Sequence, residues 1–255
     1  MSRRTAVYGV VLLSQLVGFV LAIGIAAARA EPVPAPSDIT WSLVGGILGA
    51  IGITALYRAL AIGRMGIVAP VTGVLAAVIP VAAGIVLEGV PPPLVLVGIG
   101  LAIVAVVLVT RVADDAGGRE GLLEALVGGV AIGLFGVAIA QLTDGVAFGA
   151  LTIVRLVEAA VVVVIIVATR TAWRPPTRLL PAIAGIGVLD MAGNGLYILA
   201  VQTGLLAVAS VLSALYPVVT VILATVVLGE RVTREHAAGI ALAALAIAAI
   251  GVGST

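Results

Sequence analysis

Three charged residues lie inside long apolar stretches of this sequence: Arg155, Glu158 and Asp190. A charge at the centre of a bilayer costs about 2.5–3.5 kcal/mol on insertion scales, so each one needs a partner or a function. Arg155 and Glu158 are three residues apart, so on a helix they share a face and can form an ion pair. The pair has two interpretations. It either neutralises itself so that the helix can insert, or it lines a polar cavity where one member meets a substrate or a proton.

Asp190 belongs to a polar stripe on an otherwise apolar helix. Asp190, Asn194 and Tyr197 follow the i, i+4, i+7 spacing of one helix face. No basic residue is close to Asp190 in sequence, so we expect it to be protonated or paired with another helix, with Arg155 as the candidate. The stripe is interpreted either as an interhelical hydrogen-bond clamp or as the lining of a cavity.

The composition explains why these polar residues are unusual. Of 255 residues, 62% are hydrophobic and 10% are charged, and the mean hydropathy is +1.34. A soluble domain of this size is nearer half apolar and a quarter charged, so lipid must surround much of the chain. The net charge of +1 gives no reason to expect a nucleic-acid partner. Cysteine is absent, which excludes thiolate metal sites, and no metal or other cofactor is expected.

Apolar runs of about 18 or more residues predict membrane helices. The chain has nine candidates between its charges, prolines and polar clusters: Ala6–Ala28, Trp41–Ile62, Met65–Leu87, Pro93–Thr110, Gly121–Ala140, Val146–Thr169, Leu179–Val201, Leu205–Leu228 and Ala237–Val252. The first resembles a signal peptide, but its apolar core exceeds the roughly 7–15 residues of such a segment and favours a membrane helix. The predicted fold is an all-α, polytopic membrane helical bundle.

An internal repeat aligns the two halves of the chain. At an offset of 141 residues, Ala59–Ala102 matches Ala200–Ala243 without a gap, and both copies carry an acid–glycine turn. Gly121–Ala140 has no counterpart before Ala6. The sequence therefore predicts either that the protein has nine spans or that the chain as given starts one helix after the true beginning of the first repeat. Paired repeats around a central site are a common transporter architecture, and five helices per repeat would make the halves inverted.

The repeat and the prolines add weaker candidates. Ser14 and Gln15 align with Arg155 and Leu156, so they are predicted to face the same cavity from the other half. Three prolines inside spans are predicted to kink helices or form gates: Pro70, Pro80 and Pro217.

The sequence resembles the EamA-like bacterial transporters of the drug/metabolite transporter superfamily. The resemblance is carried by several stretches, in order: 55–63, 67–80, 200–204, 209–217 and the Leu-Gly-Glu-Arg-Val turn at 228–232. It implies ten spans in two five-helix halves. Residues 1–112 would then form a first repeat lacking its first helix, and residues 121–253 a second repeat. A start codon placed too late is the simplest explanation of the missing first helix.

The arginines predict an orientation. Eleven of the thirteen fall on one side of the predicted spans, only Arg29 falls on the other, and Arg155 lies within a span. The positive-inside rule then places the N-terminus in the cytoplasm and the C-terminus outside. The family resemblance implies a cytoplasmic C-terminus, so the two arguments conflict, and we favour the arginine count.

These observations predict a secondary transporter in the bacterial plasma membrane, an exporter of small metabolites or amphipathic compounds that works by alternating access between the repeats. Its partners would be the lipid bilayer and a small-molecule substrate, with a homodimer as a further candidate. One alternative is a truncated or partner-dependent protein that does not transport. A membrane-embedded enzyme is the weaker alternative, because no catalytic motif occurs and no catalytic residue is assigned.

Overall fold

The computed structural model describes residues 2–62, 65–110, 121–171, 173–213, 215 and 234–253. Within these ranges the chain is helical, with no strand. The α-helices are α1 Ser2–Ala28, α2 Pro36–Ile62, α3 Met65–Glu88, α4 Pro93–Thr110, α5 Leu122–Ile139, α6 Ala147–Thr169, α7 Leu180–Thr203, α8 Leu206–Ser213 and α9 Arg234–Gly253. A short 3₁₀ helix, Thr177–Leu179, leads into α7. The predicted polytopic helical bundle is confirmed.

Six described helical segments are long and apolar enough to cross a membrane: Tyr8–Ala28, Pro36–Ile62, Val71–Glu88, Leu122–Ile139, Ala147–Thr169 and Thr177–Thr203. Each corresponds to a predicted span. Two further predicted spans coincide with shorter apolar helices, Pro93–Ala105 and Ala237–Ile250. The predicted span Leu205–Leu228 begins with α8, but most of it lies outside the described residues, as does Pro217. Pro70 and Pro80 both lie within α3.

Helix α2 begins five residues before the predicted start at Trp41. Asp38, fully buried, explains the difference, because its carboxylate accepts hydrogen bonds from the Ala35 amide at 3.0 Å and from the Thr143 amide at 2.9 Å. A carboxylate that accepts amide hydrogen bonds in the first turn stabilises a helix N-terminus. Hydropathy alone cannot detect such a polar first turn.

The chain divides into two compact units, and α2 and α5 each contribute to both. The first unit comprises Met1–Tyr57 and Leu134–Thr203, and its main contacts join α1 to α6 and α7. Along α1, Gly9 lies beside Trp173, Gly18 lies beside Arg155, and Ala22 shares an apolar cluster with Phe148. Helix α1 therefore runs antiparallel to α6, its counterpart in the sequence repeat. An inverted repeat produces this arrangement.

The second unit comprises Arg58–Gly133 and Gly204–Thr255. Its helices α4 and α9, also equivalent in the repeat, pack antiparallel, since Gly98 lies beside Ile250 and Gly253 lies beside Val95. Helix α3 packs on α8, where Gly84 meets Ala207. The apolar core of this unit is built around Val95, Ala246 and their neighbours.

Two other acidic residues bind helix N-termini. In the first unit, Glu31 Oε2 accepts hydrogen bonds from the Phe148 and Gly149 amides of α6, both at 2.9 Å. In the second unit, Glu88 Oε2 accepts a hydrogen bond from the Leu206 amide of α8 at 2.8 Å. Because the first amides of a helix have no partner within it, these carboxylates satisfy groups that lipid could not.

Candidate functional site

The first unit contains a charged cluster centred on Arg155 of α6. The guanidinium Nη1 lies 2.8 Å from Glu158 Oε2 and 2.8 Å from Asp190 Oδ2. Both pairings predicted from the sequence are therefore confirmed. Arg155 and Glu158 are buried, with side chains 2% and 5% exposed, whereas the Asp190 side chain is 40% exposed.

The repeat spacing brings a residue of α1 to the same guanidinium. Gln15 is 4% exposed, and its Oε1 accepts a hydrogen bond from Arg155 Nη1 at 2.6 Å. Ser14 is also buried, but its hydroxyl donates to the Val11 carbonyl of its own helix at 2.9 Å. Of the two residues proposed from the repeat, Gln15 thus contacts the charged cluster directly.

In the polar stripe of α7, Asp190 and Asn194 are hydrogen-bonded to each other, whereas Tyr197 bonds to α5. Asn194 Nδ2 donates to the Asp190 carbonyl at 3.0 Å and to Asp190 Oδ1 at 3.2 Å. The Tyr197 hydroxyl donates to the Gly136 carbonyl at 3.4 Å. All three stripe residues are half-buried, while Leu189 and Leu196, about 100° around the helix from Asp190 and Tyr197, are strongly exposed. The stripe therefore borders the packed face of α7 and does not occupy its most exposed face.

Glycines of α1 and α2 leave room for the charged side chains. A Cβ added to Gly18 would lie 3.3 Å from Arg155 Nε, and a Cβ added to Gly49 would overlap the Glu158 carboxylate. Neither Gly18 nor Gly49 was assigned to the charged site from the sequence. The repeat offset could have identified Gly49, because it aligns Gly49 with Asp190.

The charges of the cluster do not cancel. One guanidinium faces two carboxylates, so with both acids ionised the cluster carries one surplus negative charge. In addition, Arg155 Nε is buried and has no hydrogen-bond acceptor among the described contacts. A proton or a bound cationic group would balance the surplus, because an uncompensated charge is costly within a bilayer. Chemically, the arrangement can bind charge or a proton.

The described residues contain no group of three or more histidine, cysteine or acidic side chains that could hold a metal. The cluster instead combines a buried arginine, held between two carboxylates, with an acid of intermediate exposure, Asp190. Intramembrane ion pairs of this kind occur in substrate and ion pathways.

Fold and site together define a multi-pass α-helical membrane protein with a charged site among its helices. Residues 119–252 match the model of the EamA-like transporter family. The chain belongs to this family, within the drug/metabolite transporter superfamily, and is a membrane transporter of the drug/metabolite type.

Structural comparison agrees with this fold. The crystal structure of another protein matches with a TM-score of 0.78 and 18% sequence identity, covering 97% of this chain and 88% of the other. At that identity the likeness concerns the fold alone. A search of curated protein sequences found no match.

Proposed function

We propose that the protein is a secondary transporter of the bacterial plasma membrane that exports small metabolites or amphipathic compounds by alternating access around a central cavity between its repeats. The observation that carries the proposal is the Arg155 cluster. It joins α1 of the first half to α6 and α7 of the second through hydrogen bonds and ion pairs of 2.6–2.8 Å. A site shared by two related halves is where transporters of repeated architecture bind their substrates.

The half-buried Asp190 supports a role of the Arg155 cluster beyond helix packing. A pair that only allowed α6 to insert would need Arg155 and Glu158 alone, because these two already neutralise each other. Asp190 adds a second carboxylate on another helix, and its side chain is more accessible than either partner. In this proposal the stripe of Asp190, Asn194 and Tyr197 lines the cavity, with Gln15 and Ser14 opposite. Pro70 and Pro80 shape or gate α3, the helix that contains both.

A reconstituted flux assay tests this function. The purified protein is incorporated into liposomes, and uptake of labelled amino acids, labelled glucose and ethidium is measured under an imposed proton gradient. The comparison is a triple variant, Arg155→Met with Glu158→Gln and Asp190→Asn, named here the uncharged triple. Wild-type protein is expected to transport at least one of these probes, and the uncharged triple none.

A matched control variant distinguishes loss of the charged site from general damage to the fold. Gly185→Ala lies on α7, and an added Cβ there meets no atom within 4 Å, so this variant should transport like the wild type. Equal flux by the uncharged triple and the wild type would overturn the role of the cluster. Flux by neither protein across the probes would favour the non-transporting alternative.

A further inference from the structure

Gly49 occupies the position in α2 that corresponds to Asp190 in α7. We propose that Gly49 is a positioning residue of the charged site, because its missing side chain creates the space in which the Glu158 carboxylate meets Arg155. This inference rests on the proposed function, since it concerns the same site. It assigns a role in the site to a residue of α2, which contributes no polar group to the contacts described there.

The steric argument comes from the surroundings of Gly49. A Cβ at this position would overlap Glu158 Oε1 and would lie 3.3 Å from Phe135 Cδ2. Such an overlap cannot persist, so some group must move. Because Oε1 is the end of a flexible side chain, the carboxylate moves at lower cost than the backbone of either helix.

Movement of the carboxylate changes the balance of the cluster. Glu158 Oε2 lies 2.8 Å from Arg155 Nη1, so displacement of the carboxylate by about 1 Å would break a charge-assisted hydrogen bond. Arg155 would then be left with Asp190 and Gln15, and Asp190 would become its only anionic partner in the cluster. In the proposed transporter, an Asp190 that is held more tightly is less available to a proton or a cationic group.

The repeat gives this relationship a further meaning. At equivalent positions one half has an acid, Asp190, and the other half has no side chain, Gly49. Gly49 leaves space for the Glu158 carboxylate of α6. Asp190 forms an ion pair with Arg155, which also belongs to α6. The two carboxylates of the cluster thus depend on two positions that correspond in the repeat. Position 190 supplies one acid, and position 49 supplies the space for the other, Glu158.

The experiment compares Gly49→Ala with a compensating double variant. Gly49→Ala is expected to lower kcat/KM for the best probe of the liposome assay by about tenfold or more, as displacements of about 1 Å in binding groups do. Adding Glu158→Asp shortens the acid by one methylene and makes room for the new Cβ. The double variant should therefore recover a substantial part of the lost flux, and Glu158→Asp alone should not exceed the wild type.

The matched control is Gly45→Ala, one turn earlier in α2. An added Cβ there would lie 3.3 Å from Ile139 Cγ2, a contact with an apolar side chain, so the variant tests crowding without displacing a charge. Wild-type flux by Gly49→Ala would overturn the inference, and so would a double variant no better than the single one, including the case in which neither folds. Failure of the proposed function is recognised separately: the wild type then transports none of the probes, or the uncharged triple transports them as well as the wild type does.

Discussion

Arg155 and Asp190 lie on different helices, α6 and α7, yet Nη1 and Oδ2 are 2.8 Å apart. The same nitrogen also contacts Glu158 and Gln15, so one guanidinium connects three helices. Because a charge-assisted contact loses most of its strength with a small displacement, the cluster is sensitive to the relative positions of α1, α6 and α7. A transporter that moves these helices would break and remake such contacts.

The surplus carboxylate predicts that one variant loses flux. Asp190→Asn removes the surplus charge, because the remaining Arg155 and Glu158 then cancel. We expect this variant to lose at least about tenfold in flux, since the amide offers no negative charge to a cationic group. The measurement is proteoliposome flux beside the wild type, with Gly185→Ala as the control. Full flux by Asp190→Asn would remove Asp190 from the mechanism.

Removal of the arginine alone should destabilise the fold. Arg155→Met leaves two acids without a cationic partner, and breaking a buried pair in this way costs about 3–5 kcal/mol. Thermal unfolding in detergent should show a clear drop in Tm. The uncharged triple should recover most of that stability while remaining inactive, because no charge is then left buried. A single variant as stable as the wild type would mean that Arg155 does not stabilise the bundle.

The Asp38 carboxylate predicts a purely structural effect. Asp38 accepts hydrogen bonds from the Ala35 amide and from both the amide and the hydroxyl of Thr143. Asp38→Ala should therefore lower stability by about 1–2 kcal/mol while leaving the flux per folded molecule unchanged. Asp144, the exposed residue next to Thr143, provides the control, since Asp144→Ala should leave Tm unchanged. A large loss of flux in folded Asp38→Ala protein would contradict this assignment.

Glycines of α7 should differ according to their packing. A Cβ at Gly187 would lie 2.6 Å from the Ser14 carbonyl oxygen and 2.8 Å from Val17 Cβ, so Gly187→Ala should cost about 1–3 kcal/mol. Gly185 meets nothing within 4 Å, and Gly185→Ala should be neutral or stabilise the helix by up to about 1 kcal/mol. Melting curves of the two variants in the same detergent test the contrast. Equal Tm values would show that α1 and α7 do not pack closely at Gly187.

The arginine distribution predicts the topology of the C-terminus. With eleven arginines on one side and one on the other, the positive-inside rule places the C-terminus outside the cytoplasm. A C-terminal alkaline-phosphatase fusion should be active, and a fluorescent-protein fusion dark. The reverse result would support the orientation implied by the family resemblance.

Several features of the site could be predicted from local sequence. The spacing of Arg155 and Glu158 is enough for a helical ion pair, because neighbours three apart share a face whatever surrounds them. The repeat offset predicted that Ser14 and Gln15 face the same cavity as Arg155, and Gln15 contacts the Arg155 guanidinium. The contacts of Glu31 and Glu88, and that of Asp38 with Thr143, could not be predicted in the same way, since these amide partners lie on segments more than 100 residues away.

The sequence by itself determined that this is a multi-pass helical membrane protein, because hydropathy over about 20 residues depends on composition and not on neighbouring helices. It also determined which residues are too polar for lipid. Only the tertiary structure decided which of them meet. The Arg155–Asp190 contact and the space at Gly49 arise from the packing of separate helices, and packing depends on the shapes of all the side chains between them.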